Sequence, residues 1–304
     1  MSAGSILLRV IIIQLLLIAS FSGVSGADEI WEGSEGILIT GEEWDEVQFD
    51  DYIRTFDVGS LLDRMGGLSL SQNLSVQIFT SEDGGILSPD AILPVPEVIY
   101  ITEGSLRLTV NEEEVLAERG QAVYIPAQTI RRFENAANET LRFFSVIDWS
   151  SVQNDARSSE QNSTTEQEDL SNETHVISED QVTSIELGNA SAQQSFTFSR
   201  LLHPLEGPYH LGFDIGTARI SEGSSIADHY VESRYQLITV LSGFGTMWVG
   251  CHEYPVSSNS IIYVAPGAVM NMTASDDMHL MVLTNPYYQE KYDRQMPYAC
   301  DYLY

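Results

Sequence analysis

Glu97-Val-Ile-Tyr-Ile-Thr-Glu-Gly104 and Gln236-Leu-Ile-Thr-Val-Leu-Ser-Gly243 follow one pattern 139 residues apart: a polar residue, an apolar run, and a glycine seven places on. Tyr124-Ile-Pro-Ala-Gln-Thr-Ile-Arg131 and Tyr263-Val-Ala-Pro-Gly-Ala-Val-Met270 repeat the agreement at the same offset. Two segments in step mark an internal repeat, so the chain reads as two similar domains. Around them lie short apolar alternations punctuated by turns, at 74–79, 98–102, 106–110, 122–125 and 141–147 in the first copy. The second copy has them at 195–198, 211–215, 236–241, 246–249, 261–264 and 280–283. Strands this short and this closely spaced predict an all-β sandwich or barrel in each copy.

The rest of the chain divides by composition. A short apolar run from Val10 to Phe21, preceded by Arg9 and followed by small residues, reads as a secretory signal peptide over 1–26. An acidic extension with scattered aromatics follows over 27–60 and is expected to pack on the first domain, residues 61–150. Residues 151–182 are dominated by Ser, Gln, Asn, Glu, Asp and Thr, and read as a disordered polar linker. The second domain is placed at 183–290 and a tail at 291–304.

The formal charge is −30, and one of the fourteen basic residues is a lysine, Lys291. A chain so acidic repels nucleic acid and anionic membrane surfaces, so neither is expected as a partner, and no membrane insertion is expected once the signal is cleaved. Six of the eleven asparagines, Asn73, Asn138, Asn162, Asn172, Asn189 and Asn271, stand in Asn-x-Ser/Thr, which points to a glycosylated protein, secreted or held in the cell envelope. Cys251 and Cys300 fit one disulfide in an oxidising compartment, pinning the tail to the second domain.

The repeated motif resembles that of the cupin superfamily, in the two-domain form called a bicupin. The family pattern is G-x5-H-x-H-x3,4-E-x6-G followed by G-x5-P-x-G-x2-H-x3-N. The resemblance covers about 70–148 and 210–284. It implies two tandem double-stranded β-helix, or jelly-roll, barrels with the ligand site in the barrel mouth. In the first copy Glu97, Gly104, Gly120, Pro126 and Asn135 keep the frame, but the paired histidines fall on Ala91 and Leu93, or on Asp90 and Ile92. The third histidine position is Arg131. In the second copy Gly223 and His229 survive, while the remaining ligand positions hold Val231, Gln236 and Met270.

Family members that work on Mn, Fe, Ni or Zn use about three histidines and one carboxylate. One carboxylate in the first copy, and one imidazole with neutral donors in the second, fall short of the coordination such a metal demands. No metal or cofactor is therefore expected. Strand alternation turns Glu97 and Arg131 into the same barrel, where a guanidinium takes the place of a cation. The expected function is an exported, non-catalytic bicupin binding a sugar, an organic acid or an envelope component, through Glu97, Arg131, His229, Gln236 and Met270. The alternative is a metal-dependent secreted enzyme, like a decarboxylase or aminohydrolase, with other ligands. Pairing of the two barrels within one chain would give a monomer, and a homodimer is the other arrangement open.

Overall fold

The computed structural model describes residues 36–39, 47–48, 53–59, 62, 74–82, 84–149, 173–189 and 194–295. The signal segment 1–26, Asn73, Asn162, Asn172 and Cys300 lie outside the described residues. The lead-in contributes β1 (Gly36–Ile39), β2 (Val47–Gln48) and β3 (Ile53–Asp57). The first barrel continues with β4 (Leu74–Ser81), β5 (Gly85–Ile92), β6 (Glu97–Glu103), β7 (Ser105–Val110), β8 (Glu113–Glu118), β9 (Gln121–Ile125), β10 (Ile130–Asn135) and β11 (Leu141–Asp148). Then come β12 (His175–Ser178), β13 (Ser184–Asn189), β14 (Gln194–Leu202) and β15 (Asp214–Ile220). The second barrel is completed by β16 (Ser225–Val231), β17 (Tyr235–Ser242), β18 (Phe244–Val249), β19 (His252–Ser257), β20 (Ile261–Val264), β21 (Met270–Ala274), β22 (Met278–Asn285) and β23 (Asp293–Gln295).

Each barrel is two antiparallel sheets, an inner one of seven strands and an outer one of four or five. The inner sheets run β12-β9-β6-β11-β4-β3-β2 and β1-β20-β17-β22-β15-β14-β13. The inner strands have both faces covered. In β6, Ile99 and Ile101 fill the first barrel, while Val98 and Tyr100 belong to an apolar cluster that also contains Tyr235, Leu237 and Leu283 of the second. That explains why the quoted stretches read as continuous apolar runs rather than clean alternations. The outer strands do alternate: in β7, Leu106, Leu108 and Val110 are buried and Arg107 is exposed.

Gly104 and Gly243, where the chain passes from one sheet to the other, are fixed by the turn packed against each of them. Gly104 and Gly243 have φ of +73° and +85°, and a Cβ there would stand 2.4 Å from Thr140 O and 2.2 Å from Asp277 O. Asn135 holds the β10–β11 turn, its Nδ2 donating to Glu139 O at 2.8 Å and its Oδ1 accepting from Ala137 N at 3.2 Å.

Three boundaries differ from the sequence reading. Strands β2 and β3 do extend the first barrel's sheet through β4. β1, however, crosses to the second barrel, where it pairs with β20 and Gly36 O accepts from the Tyr254 hydroxyl at 3.0 Å. The stretch assigned to a polar linker includes β12, which pairs with β9 of the first barrel. The two additions are reciprocal, since the segment before each barrel completes the inner sheet of the other. The assigned tail begins with β23, which pairs with β16. In all three cases a sheet edge supplied the partner that made a short segment of an acidic or polar stretch a strand.

Candidate functional site

In the first barrel three strands bring three polar side chains together on the inner face. Glu97 stands at the start of β6, Ser145 in the middle of β11, and Arg131 near the start of β10. Glu97 Oε2 lies 2.7 Å from Arg131 Nε, with the two side chains 3% and 6% exposed. Ser145 Oγ donates to Glu97 Oε1 at 2.5 Å. The Nε–H is not aligned on Oε2 well enough for a hydrogen bond, so this contact is ionic, and Arg131 Nη1 is buried with no hydrogen-bond partner among the described residues. Burial pulls the Arg131 guanidinium below its ordinary value while the Glu97 charge pulls it back up. The guanidinium nonetheless stays charged.

The register settles where the missing histidine falls. Ala91 pairs with Arg131 across β5 and β10 as His229 pairs with Met270 across β16 and β21. Asp90, the other candidate, faces outward and bonds Arg132 at 2.9 Å.

The second barrel places different chemistry at equivalent positions. Glu97, Arg131 and Ser145 become Gln236, Met270 and Thr284, each 139 residues on. Gln236 Nε2 reaches Thr284 Oγ1 at 3.5 Å, and Gln236 Oε1 is buried with no partner among the described residues. His229 is half-buried, and its Nδ1 lies 2.8 Å from Ala227 O of its own strand. Sequence reasoning thus named Gln236, Met270 and His229 but missed Ser145 and Thr284. The common offset was the signal that would have found both hydroxyls.

It also missed Asp214, which stands opposite Thr284 on β15 and is almost fully buried. Burial pushes its carboxyl up to about 7, against the Tyr288 N–H, the field of Arg200 and the Thr284 hydroxyl, which hold it down. Its Oδ2 is 4.0 Å from His203 Nε2. Nδ1 of His203 accepts from Leu205 N at 3.1 Å, which leaves Nε2 to donate to Tyr288 O at 2.9 Å. His203 is a bonded core histidine.

A metal does not fit either set. The one carboxylate in the first barrel is engaged by a cationic side chain, which occupies a histidine's place and repels a second cation. The second barrel offers an amide, a thioether and an imidazole bonded to its own strand. Among the described residues no three His, Cys, Asp or Glu group as metal ligands. Of the sequons, Asn138 is exposed on a turn, Asn189 ends β13, and Asn271 Nδ2 donates to Asp228 Oδ1 at 2.6 Å.

A family model for the cupin domain matches residues 78–147. No curated protein matches the chain. Among solved structures, the chain is similar to a putative glyoxylate-induced protein from Pseudomonas aeruginosa at 14% identity and TM-score 0.65, over 86% of this chain and 93% of that one. It is similar to vicilin from Corylus avellana (hazelnut) at 15% identity and TM-score 0.63, over 86% and 88%. For a deletion mutant of Bacillus subtilis oxalate decarboxylase the values are 12% and 0.59, over 90% and 80%. At these identities the structural matches speak for the fold alone. A cupin-domain model thus matches the first barrel, and the two-barrel fold of the whole chain is the one these structures share.

Proposed function

We propose that the protein is an exported, non-catalytic bicupin that holds a sugar or an organic acid in a barrel mouth built without a metal. The Glu97–Arg131 pair carries this reading. Where catalytic relatives need a cation with exchangeable positions, this barrel has a covalently tethered guanidinium that cannot exchange, activate water or change oxidation state. What it retains is a donor: Arg131 Nη1 is buried and has no hydrogen-bond partner among the described residues, so a ligand oxygen has a charged group to meet. The ligand sits above the pair and Ser145 holds the carboxylate in place. Export is supported by the N-terminal apolar run, the six sequons and the Cys251–Cys300 disulfide proposed for it.

The test has two steps on the purified full-length chain. Elemental analysis before any chelator is expected to find transition metal at trace level only; a stoichiometric metal overturns the reading. Thermal melts are then run with glucose, galacturonate, oxalate and malonate at millimolar concentration. At least one is expected to raise the Tm, as any ligand of the native state does. That shift is expected to vanish in the Glu97→Gln/Arg131→Met double variant, which removes both charges and leaves no buried ion unpaired. No shift with any probe, or a shift unchanged in the double variant, overturns it.

A further inference from the structure

After β22 the chain turns back over the mouth of the second barrel. Residues 286–295 are held there at the ends of both sheets. On the inner-sheet side Tyr287 N donates to Gly212 O at 3.0 Å, and Tyr288 O accepts from His203 Nε2 at 2.9 Å. In the turn between β16 and β17, which joins the two sheets, Arg234 Nε donates to Tyr287 O at 2.9 Å. Glu232 N of the same turn donates to Tyr292 O at 2.9 Å, and the Arg234 guanidinium lies 3.7 Å from the centre of the Tyr292 ring. On the outer-sheet side β23 pairs with β16, setting Gln295 opposite His229 and Asp293 opposite Val231. The Tyr288 hydroxyl donates to Asp293 Oδ2 at 2.8 Å and ties the two anchored stretches together.

What holds this segment is almost all polar. Its residues are half-buried or exposed, and none of them belongs to an apolar core cluster among the described residues. The groups around its anchors are buried: Asp214, His203, Arg234 and Gln236 are each 7% exposed or less. Stretches with few apolar contacts open locally, at far lower cost than unfolding the domain.

Asp214 links that opening to pH. Thr284 stands between Gln236 and Asp214 in one register row, which places Asp214 at the mouth. Its carboxyl accepts from the Tyr288 N–H of the segment. The charged and titratable groups facing it are Arg200 and His203 from β14 and its end, and Tyr288, itself beside Asp293 and Glu290. Arg200 is shared with Glu206. Burial keeps the Asp214 carboxyl protonated to about pH 7, and opening returns it to water, where an aspartate ionises near 3.8. The closed form thus holds a proton that the open form releases, so closure is favoured in acid and weakens as pH rises through that window.

We propose that residues 286–295 form a strap over the mouth of the second barrel, shut in acid and opening as the pH rises, with Asp214 coupling the two. Opening uncovers Gln236 and the β16 edge at His229. The strap is independent of the ligand proposed for the first barrel.

Hydrogen exchange on the full chain between pH 5 and 8, corrected for the intrinsic rate, tests it. The amides of Tyr287, Tyr288 and Glu232 are expected to lose protection roughly fifty-fold between pH 5 and 7. At pH 8 they are expected to exchange well before the Val240 amide, which is bonded to Ser260 O in the core of β17. Asp214→Asn keeps the shape and cannot titrate, and is expected to hold their protection level across the range. Tyr288→Phe removes the tie to Asp293 and is expected to lower protection several-fold at every pH. Oxidation of Met270 by dilute hydrogen peroxide, read by mass spectrometry, is expected to quicken with pH in the wild type and not in Asp214→Asn. Three results overturn the proposal: strap amides that exchange in step with Val240, a pH slope unchanged in Asp214→Asn, or Met270 oxidation that ignores pH.

Discussion

At three equivalent inward-facing positions the first barrel holds Glu97, Arg131 and Ser145, and the second holds Gln236, Met270 and Thr284. Two solutions to one problem stand in one fold. Each barrel must satisfy a polar residue at the start of its central strand. The first copy neutralises it with a buried counter-charge, a contact whose gain is offset by the cost of removing both ions from water. The second copy neutralises it covalently, as an amide, and needs no counter-charge, so a methionine fills the arginine's place. The leftover polarity moves to Asp214, on a strand where the first copy has no matching carboxylate. Equivalent backbone positions constrain shape and side-chain direction but leave the charge balance to each copy.

The comparison breaks most visibly if one partner of the ion pair is removed. Arg131→Ala leaves Glu97 buried and unpaired, and is expected to cost about 3–5 kcal/mol in chemical denaturation. Importing the second barrel's residues as the Glu97→Gln/Arg131→Met pair is expected to recover most of that. A single variant as stable as the wild type would mean that the pair is not a coupled unit.

Next in size is the pH dependence carried by Asp214. In the fold its carboxyl holds its proton to about pH 7, whereas an ordinary aspartate gives it up near 3.8. The folded chain therefore binds more protons between those values, and its stability falls as pH rises through that window. The contribution of this group is fully present below about pH 4, is lost by about pH 7, and amounts to roughly 4 kcal/mol at most. Asp214→Asn is expected to flatten the fall between pH 4 and 7 in urea melts. An unchanged slope would place the titration elsewhere.

The smallest expected effect is the sharpest contrast. Gln236→Leu removes an amide whose Oε1 has no partner among the described residues and whose Nε2 makes only a 3.5 Å contact, so its cost is expected to stay within about 1 kcal/mol. Glu97→Leu at the equivalent position strands Arg131 and belongs with the largest effects. Equal costs at the two positions would erase the distinction between the barrels.

How far these features could be read in advance follows from how local they are. The repeat, the glycines that close the repeated stretches and the inward direction of Glu97 and Arg131 come from periodicity and spacing, which a strand imposes on its own sequence. Ser145 lies inside the apolar run of β11, where one hydroxyl looks like an interruption, and only the matching Thr284 marks it as a position. Asp214 falls within the apolar alternation at 211–215, and nothing in that stretch states that its neighbours bury it. β1 and β12 are four residues each within acidic or polar stretches. Nothing in such a segment states its partner, because the hydrogen bonds that make it a strand belong to an edge more than fifty residues away.

That exchange of edge strands bears on why the two interiors could differ at all. In an assembly of identical subunits, any residue that suits one pocket is copied into the other, and both must tolerate it. Here the two halves interlock as subunits would, each lending the strand that closes its neighbour's sheet. Because they are successive parts of a single chain, a change in one half is not transcribed into the other. One half could keep a charged interior and the other become neutral, while the shared seam held their geometry in common.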